Sequence, residues 1–165
     1  MVPWLATGCT REALAVMEPR PEGKIINIAS IAVLSALSAH SPHYSATKGA
    51  VIGFTKAVAV DVAGANIFVN CIARGRVLTP DFEHCLAQLC DEDRNRFYQL
   101  IPLGRLGTPD EYASLAVYLA TDGHYLVGQV LSPNCAAVIY PRPCRASNLD
   151  LEDEGSLETA CSGQQ

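Results

Sequence analysis

The chain is poor in the features that mark membrane, secreted and nucleic-acid-binding proteins. No apolar run among its 165 residues reaches the roughly 18 to 20 residues that a membrane span requires. No cluster of lysine and arginine offers a surface for nucleic acid, and the formal net charge is -5. The amino terminus lacks the basic leader and long apolar block of a signal peptide. We therefore expect a cytoplasmic protein that binds neither membranes nor nucleic acid.

The sequence also lacks the cysteine and histidine spacings that indicate a disulfide framework or a metal site. The seven cysteines are odd in number and include no CxxC pair, and the four histidines lack the spacing of metal ligands. Cytoplasmic thiols are kept reduced. We expect free thiols and no bound metal.

Apolar residues, by contrast, are abundant enough for a folded core. They make up 49% of the chain and charged residues 18%, which suits one compact domain of this length. From Pro141 onward the sequence turns polar, with an acidic stretch at 150–154. The composition predicts a domain over residues 1–140 and a disordered tail over 141–165.

Hydrophobic periodicity and turn residues divide the domain into alternating helices and strands. Ser41 is the predicted N-cap of the second helix, and Gly64 its predicted left-handed end. Alternation of this kind is typical of an α/β fold with a parallel sheet. Three strands indicate part of a sheet rather than a whole one. The predicted elements are a helix over 5–18, a strand over 24–29, a loop over 30–40, a helix to about 62, a strand over 66–72, a helical segment over 81–99, a loop over 102–107, a capped helix over 108–121 and a strand over 128–132.

Three residues combine into a site that could move a proton. Tyr44 and Lys48 are four apart in the first turns of a predicted helix, so they share one face. An ammonium group beside a phenol favours the phenolate, and such a phenol can exchange a proton with a carbonyl or carbinol oxygen. Ser30 ends a predicted strand, and its hydroxyl could bond the same oxygen. Taken alone, a tyrosine and a lysine four apart on a helix are usually an ordinary surface pair.

Four ordered segments extend this pattern, at residues 25–30, 44–51, 69–73 and 75–80. Together they resemble the short-chain dehydrogenase/reductase family, particularly its 3-oxoacyl-carrier-protein-reductase-like members. Residues 102–111 also look like the start of that family's penultimate helix. The resemblance covers about residues 5–139, and it implies a partial Rossmann-like, doubly wound parallel sheet, the carboxyl-terminal half of the family fold.

The resemblance implies an NAD- or NADP-dependent oxidoreductase that acts on a small carbonyl compound or secondary alcohol. Tyr44 would be the general acid/base, and Lys48 would support it and bind the nicotinamide ribose. Ser30 would polarise the substrate oxygen, and Val77 and Thr79 would line the nicotinamide. The helices that begin near residue 5 and at residue 42 match those that pair between subunits, which implies a homo-oligomer or association with full-length relatives.

Departures from the family pattern support an alternative. The family's TGxxxGIG turn, which holds the pyrophosphate, has no counterpart, so we expect cofactor binding to be weak or absent. Val2 stands near the place of a catalytic asparagine, Arg74 replaces a proline, and Cys135-Ala136 replaces a glycine pair. The alternative is a catalytically impaired, truncated remnant that serves as an oligomerisation partner of full-length relatives. The substrate, and the choice between NAD and NADP, stay open.

Overall fold

A computed structural model describes residues 2–20, 22–34 and 42–138, with the backbone alone for 2–5. Helices separate the successive strands along this part of the chain, as the sequence predicts. The elements are α1 (Val2–Met17), β1 (Gly23–Ser30), α2 (Pro42–Val62), β2 (Ile67–Arg74), α3 (Pro80–Gln88), α4 (Asp91–Gln99), α5 (Pro109–Thr121) and β3 (Val130–Leu131).

The strands form one parallel sheet in the order β1-β2-β3. β1 and β2 pair along their whole length, from Gly23 opposite Ile67 to Ser30 opposite Arg74. β3 adds a short pairing next to Cys71 and Ile72. The predicted α/β fold with a parallel sheet is confirmed, and the carboxyl ends of β1 and β2 meet at one edge.

Helices cover both faces of the sheet. α2 packs on one face, where the buried Asn27 side chain donates a hydrogen bond of 3.0 Å to Thr55 Oγ1. Side chains alternate along a strand, so Lys24 lies on the opposite face. There its ammonium donates to the Thr121 carbonyl at the end of α5, at 2.8 Å. Helices therefore pack on both faces of β1 and β2. This packing fixes the edge of the sheet at which β1 ends with Ser30.

One predicted helix, over 81–99, is wrong in detail, because the structure divides it into α3 and α4. Leu89 and Cys90 adopt extended backbone angles between the two helices. The break lets Phe82 pack against Phe97, with ring centroids 5.6 Å apart. The free energy gained by packing both rings into one apolar cluster outweighs the helical hydrogen bonds that a continuous polar helix would add at the break.

Three further boundaries differ from the predictions. Gly64 lies in a 3-10 turn, and the left-handed residue after α2 is Asn66, with φ 59°. Part of the predicted loop over 30–40 is a 3-10 turn, at Ile31–Val33. β3 is shorter than predicted. Asparagine tolerates the left-handed region through its short polar side chain, which explains why the turn can end there.

Several predictions concern residues that lie outside the described ranges. They are the N-cap role of Ser41 and the disordered tail over 141–165. Within the described ranges, the cysteines at positions 9, 71, 85, 90 and 135 are free thiols. No helix in that part of the chain is long and apolar enough to cross a membrane.

Candidate active site at the carboxyl edge of the sheet

Ser30 is the last residue of β1 and is held in a defined position. The residue is 5% exposed, and its Oγ accepts a hydrogen bond of 3.2 Å from the Ala32 backbone N–H. This bond caps the 3-10 turn that follows the strand. Because Oγ is the acceptor in that bond, the hydroxyl can still act as a donor toward a substrate.

Lys48 and Tyr44 lie on the same face of α2, as their spacing predicts. The Lys48 ammonium is 5.8 Å from the centroid of the Tyr44 ring. It also donates a hydrogen bond of 3.1 Å to the Ile28 carbonyl, two residues before Ser30. The lysine thus connects the phenol to the end of β1.

A second contact joins the start of α2 to the same strand end. Ser45 Oγ donates to the Ala32 carbonyl at 3.3 Å. Because the Ala32 backbone N–H also donates to Ser30 Oγ, Ser45 and Ser30 both bind the backbone of Ala32. The structure therefore brings Ser30, Tyr44 and Lys48 to a common edge of the sheet.

Val77 and Thr79 follow β2, which ends at the same edge. Val77 forms an isolated parallel bridge with Gly107. Thr79 caps α3, since its hydroxyl oxygen accepts a bond of 3.3 Å from the Phe82 N–H. Both residues have a fixed backbone, and their contact with a nicotinamide stays a prediction.

Two glycines allow close packing behind this segment. A Cβ on Gly75 would lie 2.8 Å from Cα of Asn134, and one on Gly107 would lie 2.6 Å from the Tyr112 ring. Glycine is the residue that permits such approaches. The chain after β2 is therefore packed tightly against the segment after β3, and Gly107 is packed tightly against Tyr112 of α5.

Burial keeps two potentially reactive side chains neutral near this edge. It raises the pKa of the Cys71 thiol, which is 0% exposed, and it also raises the pKa of the Tyr112 phenol. A neutral buried thiol is a poor nucleophile. Cys71 is therefore not a candidate nucleophile.

Some features of the edge were not recognised as functional from the sequence. Arg74 is exposed at the end of β2, opposite Ser30 in the register. Cys135 and Ala136 both adopt left-handed backbone angles, with φ 55° and 66°. Arg74 does carry a signal, because it is a charged residue that ends a buried strand at the ligand-binding edge of a parallel sheet. Ser45 gives no such signal.

The described side chains fit one part of a nicotinamide cofactor. A lysine ammonium and a tyrosine hydroxyl at one place suit a ribose diol, and half-buried Val77 suits a flat ring. A pyrophosphate needs a glycine-rich turn between a strand and a helix. None of the described strands is followed by such a turn. The residues present therefore fit the nicotinamide end and leave the diphosphate end unsupported.

The family profile described as enoyl-(acyl carrier protein) reductase matches residues 6–135. Among curated relatives, the chain is similar to the 3-oxoacyl-acyl-carrier-protein reductase FabG of Chlamydia trachomatis. The two are 44% identical over 111 residues, which is 67% of this chain and 43% of that protein. The chain spans about half the length of the curated relatives that it matches.

Solved structures agree with the profile. A 3-oxoacyl-acyl-carrier-protein reductase with bound NAD from Brucella melitensis is 31% identical, with a TM-score of 0.67, over 79% of this chain and 46% of that one. The ElxO structure with NADP bound is 30% identical, with a TM-score of 0.74, over 82% of this chain and 54% of that one. The chain belongs to the short-chain dehydrogenase/reductase family.

Proposed function

We propose that the chain transfers hydride between a nicotinamide cofactor and a carbonyl compound or secondary alcohol. The observation that carries this proposal is the position of Lys48. Its ammonium faces the Tyr44 ring and is anchored to the strand that ends in Ser30. The names of the relatives, which include NAD- and NADP-bound structures, support the same reaction class.

The proton transfer follows from the chemistry of the three side chains. Tyr44 donates its hydroxyl proton to the carbonyl oxygen, and the positive charge of Lys48 stabilises the phenolate that remains. Ser30 donates a hydrogen bond to that same oxygen and stabilises its developing charge. Lys48 and Tyr44 would hold the nicotinamide ribose, and Val77 and Thr79 would line the ring. When bound, the cofactor supplies the hydride.

The same assignment sets expectations for affinity and location. We expect NAD or NADP to bind weakly to this chain, because a glycine-rich turn for the diphosphate is missing from the described strand ends. We also propose that the protein acts in the cytoplasm, on a small molecule.

The test is turnover of NADH and NADPH with a 3-oxo ester by the full chain. Tyr44→Phe removes only the hydroxyl and should reduce turnover by about 10²- to 10⁴-fold. Tyr125→Phe is the matched control, because Tyr125 is fully exposed and its replacement should not change turnover. Circular dichroism should show an unchanged fold in both variants. Normal turnover in Tyr44→Phe would exclude Tyr44 as the proton donor.

An alternative proposal is that the chain has no turnover of its own and associates with itself or with full-length relatives. A groove of about 420 Å³ between α1 and α2 favours it, as does Val60, which is 77% exposed on α2. Light scattering across a dilution series, with and without a full-length relative, tests this proposal. A monomer that stays monomeric in both series would contradict it. The groove is lined by Thr7, Thr10, Arg11, Leu14, Ala15, Glu18, Phe54 and Val58.

A further inference from the structure

Arg74 occupies a position that directly adjoins the candidate catalytic serine. It is the register partner of Ser30, and partners in adjacent parallel strands direct their side chains to the same face. Neighbouring strands lie roughly 4.8 Å apart. Each strand ends at this pair, so exposed Arg74 and buried Ser30 lie side by side at the carboxyl edge of the sheet.

The charge of Arg74 is not neutralised by a described carboxylate. Among the described residues, the Arg74 side chain makes one hydrogen bond, a long one from Nη1 to the adjacent Gly75 carbonyl at 3.5 Å. Within the described ranges, no carboxylate lies at salt-bridge distance from it. Arg105, by comparison, makes two bonds to Glu111, at 2.6 and 2.9 Å. Arg74 is thus an exposed cation beside the site, with its planar donor fork directed to few protein acceptors.

We propose that Arg74 binds a carboxylate of the substrate, so that the chain acts on a keto acid or hydroxy acid. This inference rests on the proposed function, because it takes Ser30 as the group that bonds the reacting oxygen. The guanidinium fork matches the two oxygens of a carboxylate, and a neutral ester or amide offers it only a single weaker acceptor.

The size of the effect follows from exposure. An exposed charge pair contributes little, so the preference for an acid over its neutral analogue should be about fivefold. Salt should reduce that preference, because the Debye length falls to roughly 3 Å at 1 M ionic strength. A preference that comes from shape alone would not respond to salt.

The experiment compares 3-hydroxybutyrate with 3-hydroxybutyramide, which differ in charge and hardly in shape. Binding of each to the full chain is measured by NMR chemical-shift titration at low and high salt, which requires no turnover. We expect the acid to bind about fivefold more tightly at low salt. Arg74→Gln should remove that preference and leave the affinity for the amide unchanged. Arg74→Lys keeps the positive charge but loses the planar guanidinium, and it should retain part of the preference for the acid.

Arg20→Gln is the matched control, since Arg20 is exposed near the opposite end of β1 and should retain the full preference. Equal binding of acid and amide to the wild type would overturn the inference and leave the proposed function standing. So would a preference that survives in Arg74→Gln. Binding of neither compound would count against both.

Discussion

A lysine ammonium lies at each end of β1, from Lys24 in the strand itself and from Lys48 in α2, and the surroundings of the two lysines differ. Lys24, at the amino end, has a side chain only 8% exposed, and its ammonium contacts the Thr121 carbonyl, His124 Nδ1 and Glu22 at 2.8, 3.3 and 3.3 Å. Lys48, at the carboxyl end, makes one hydrogen bond among the described residues, to Ile28, and faces an aromatic ring. The first ammonium is used by the fold, and the second keeps donors for a ligand.

Replacement of the carboxyl-end lysine should give the largest effect, and on turnover. Lys48→Met removes the charge that stabilises the phenolate, so turnover should fall by about 10²-fold or more. The free energy of unfolding should fall by only about 1 kcal/mol, because one hydrogen bond is lost. Steady-state kinetics and urea unfolding of the same preparation measure the two quantities. Loss of stability in step with turnover would show that Lys48 is structural.

Replacement of the amino-end lysine should have the opposite profile. Lys24→Met leaves the Thr121 carbonyl and Glu22 without their cation, and the free energy of unfolding should fall by about 2 kcal/mol. Turnover per folded molecule should not change. Lys56→Met, at an exposed position on α2, is the control and should change stability by less than about 0.5 kcal/mol. An equal effect of both variants would refute the anchoring role of Lys24.

Relief of backbone strain at the carboxyl edge should give a smaller gain in stability. Ala136 has φ 66°, a region that side chains with a Cβ adopt at a cost. Ala136→Gly should therefore raise the free energy of unfolding by about 1 kcal/mol. Ala113→Gly, in the middle of α5, is the control and should lower it by a similar amount. Thermal unfolding shows whether each variant is stabilised or destabilised. Destabilisation by Ala136→Gly would contradict the claim that Ala136 is strained.

The smallest effect should come from the exposed ion pair that supports α5. The hydrogen bond from Arg105 holds the pKa of Glu111 at about 2, below its ordinary value of 4.5. The ionised carboxylate therefore stabilises the fold above pH 4.5, and this contribution is lost as the pH falls from 4.5 toward 2. Glu111→Gln should flatten the pH dependence of unfolding in that window. Arg105→Gln should flatten it likewise, and a wild-type slope in either variant would contradict the linkage.

Local signals in the sequence were enough to predict the parts of the fold that local chemistry determines. The buried β-branched runs became β1 and β2, and Thr108 and Glu111 form the predicted capping box of α5. The break between α3 and α4 depends on Phe82 reaching Phe97, which is a tertiary contact that helix propensity does not contain. The wrong boundary in this segment has that cause.

The candidate site likewise combines features that follow from local sequence with features that depend on tertiary packing. The shared face of Tyr44 and Lys48 follows from helix geometry, and the structure confirms it. The anchor of Lys48 on the Ile28 carbonyl depends on how α2 packs across β1, and the facing of Ser30 and Arg74 depends on strand register. Neither can be read from spacing alone. The catalytic and cofactor roles of Ser30, Tyr44, Lys48, Val77 and Thr79 stay predictions.

The pairing of β1 with β2 also has a consequence for how the protein folds. The two strands are in register along their whole length, although α2 separates them in sequence. Such non-local contacts carry the entropy of loop closure before they add stability, which slows folding. Ser30 lies in the last pair of this register, and Lys48 lies in the crossover helix itself. We therefore expect the relative positions of these two residues to be established together, when the β1–α2–β2 unit closes.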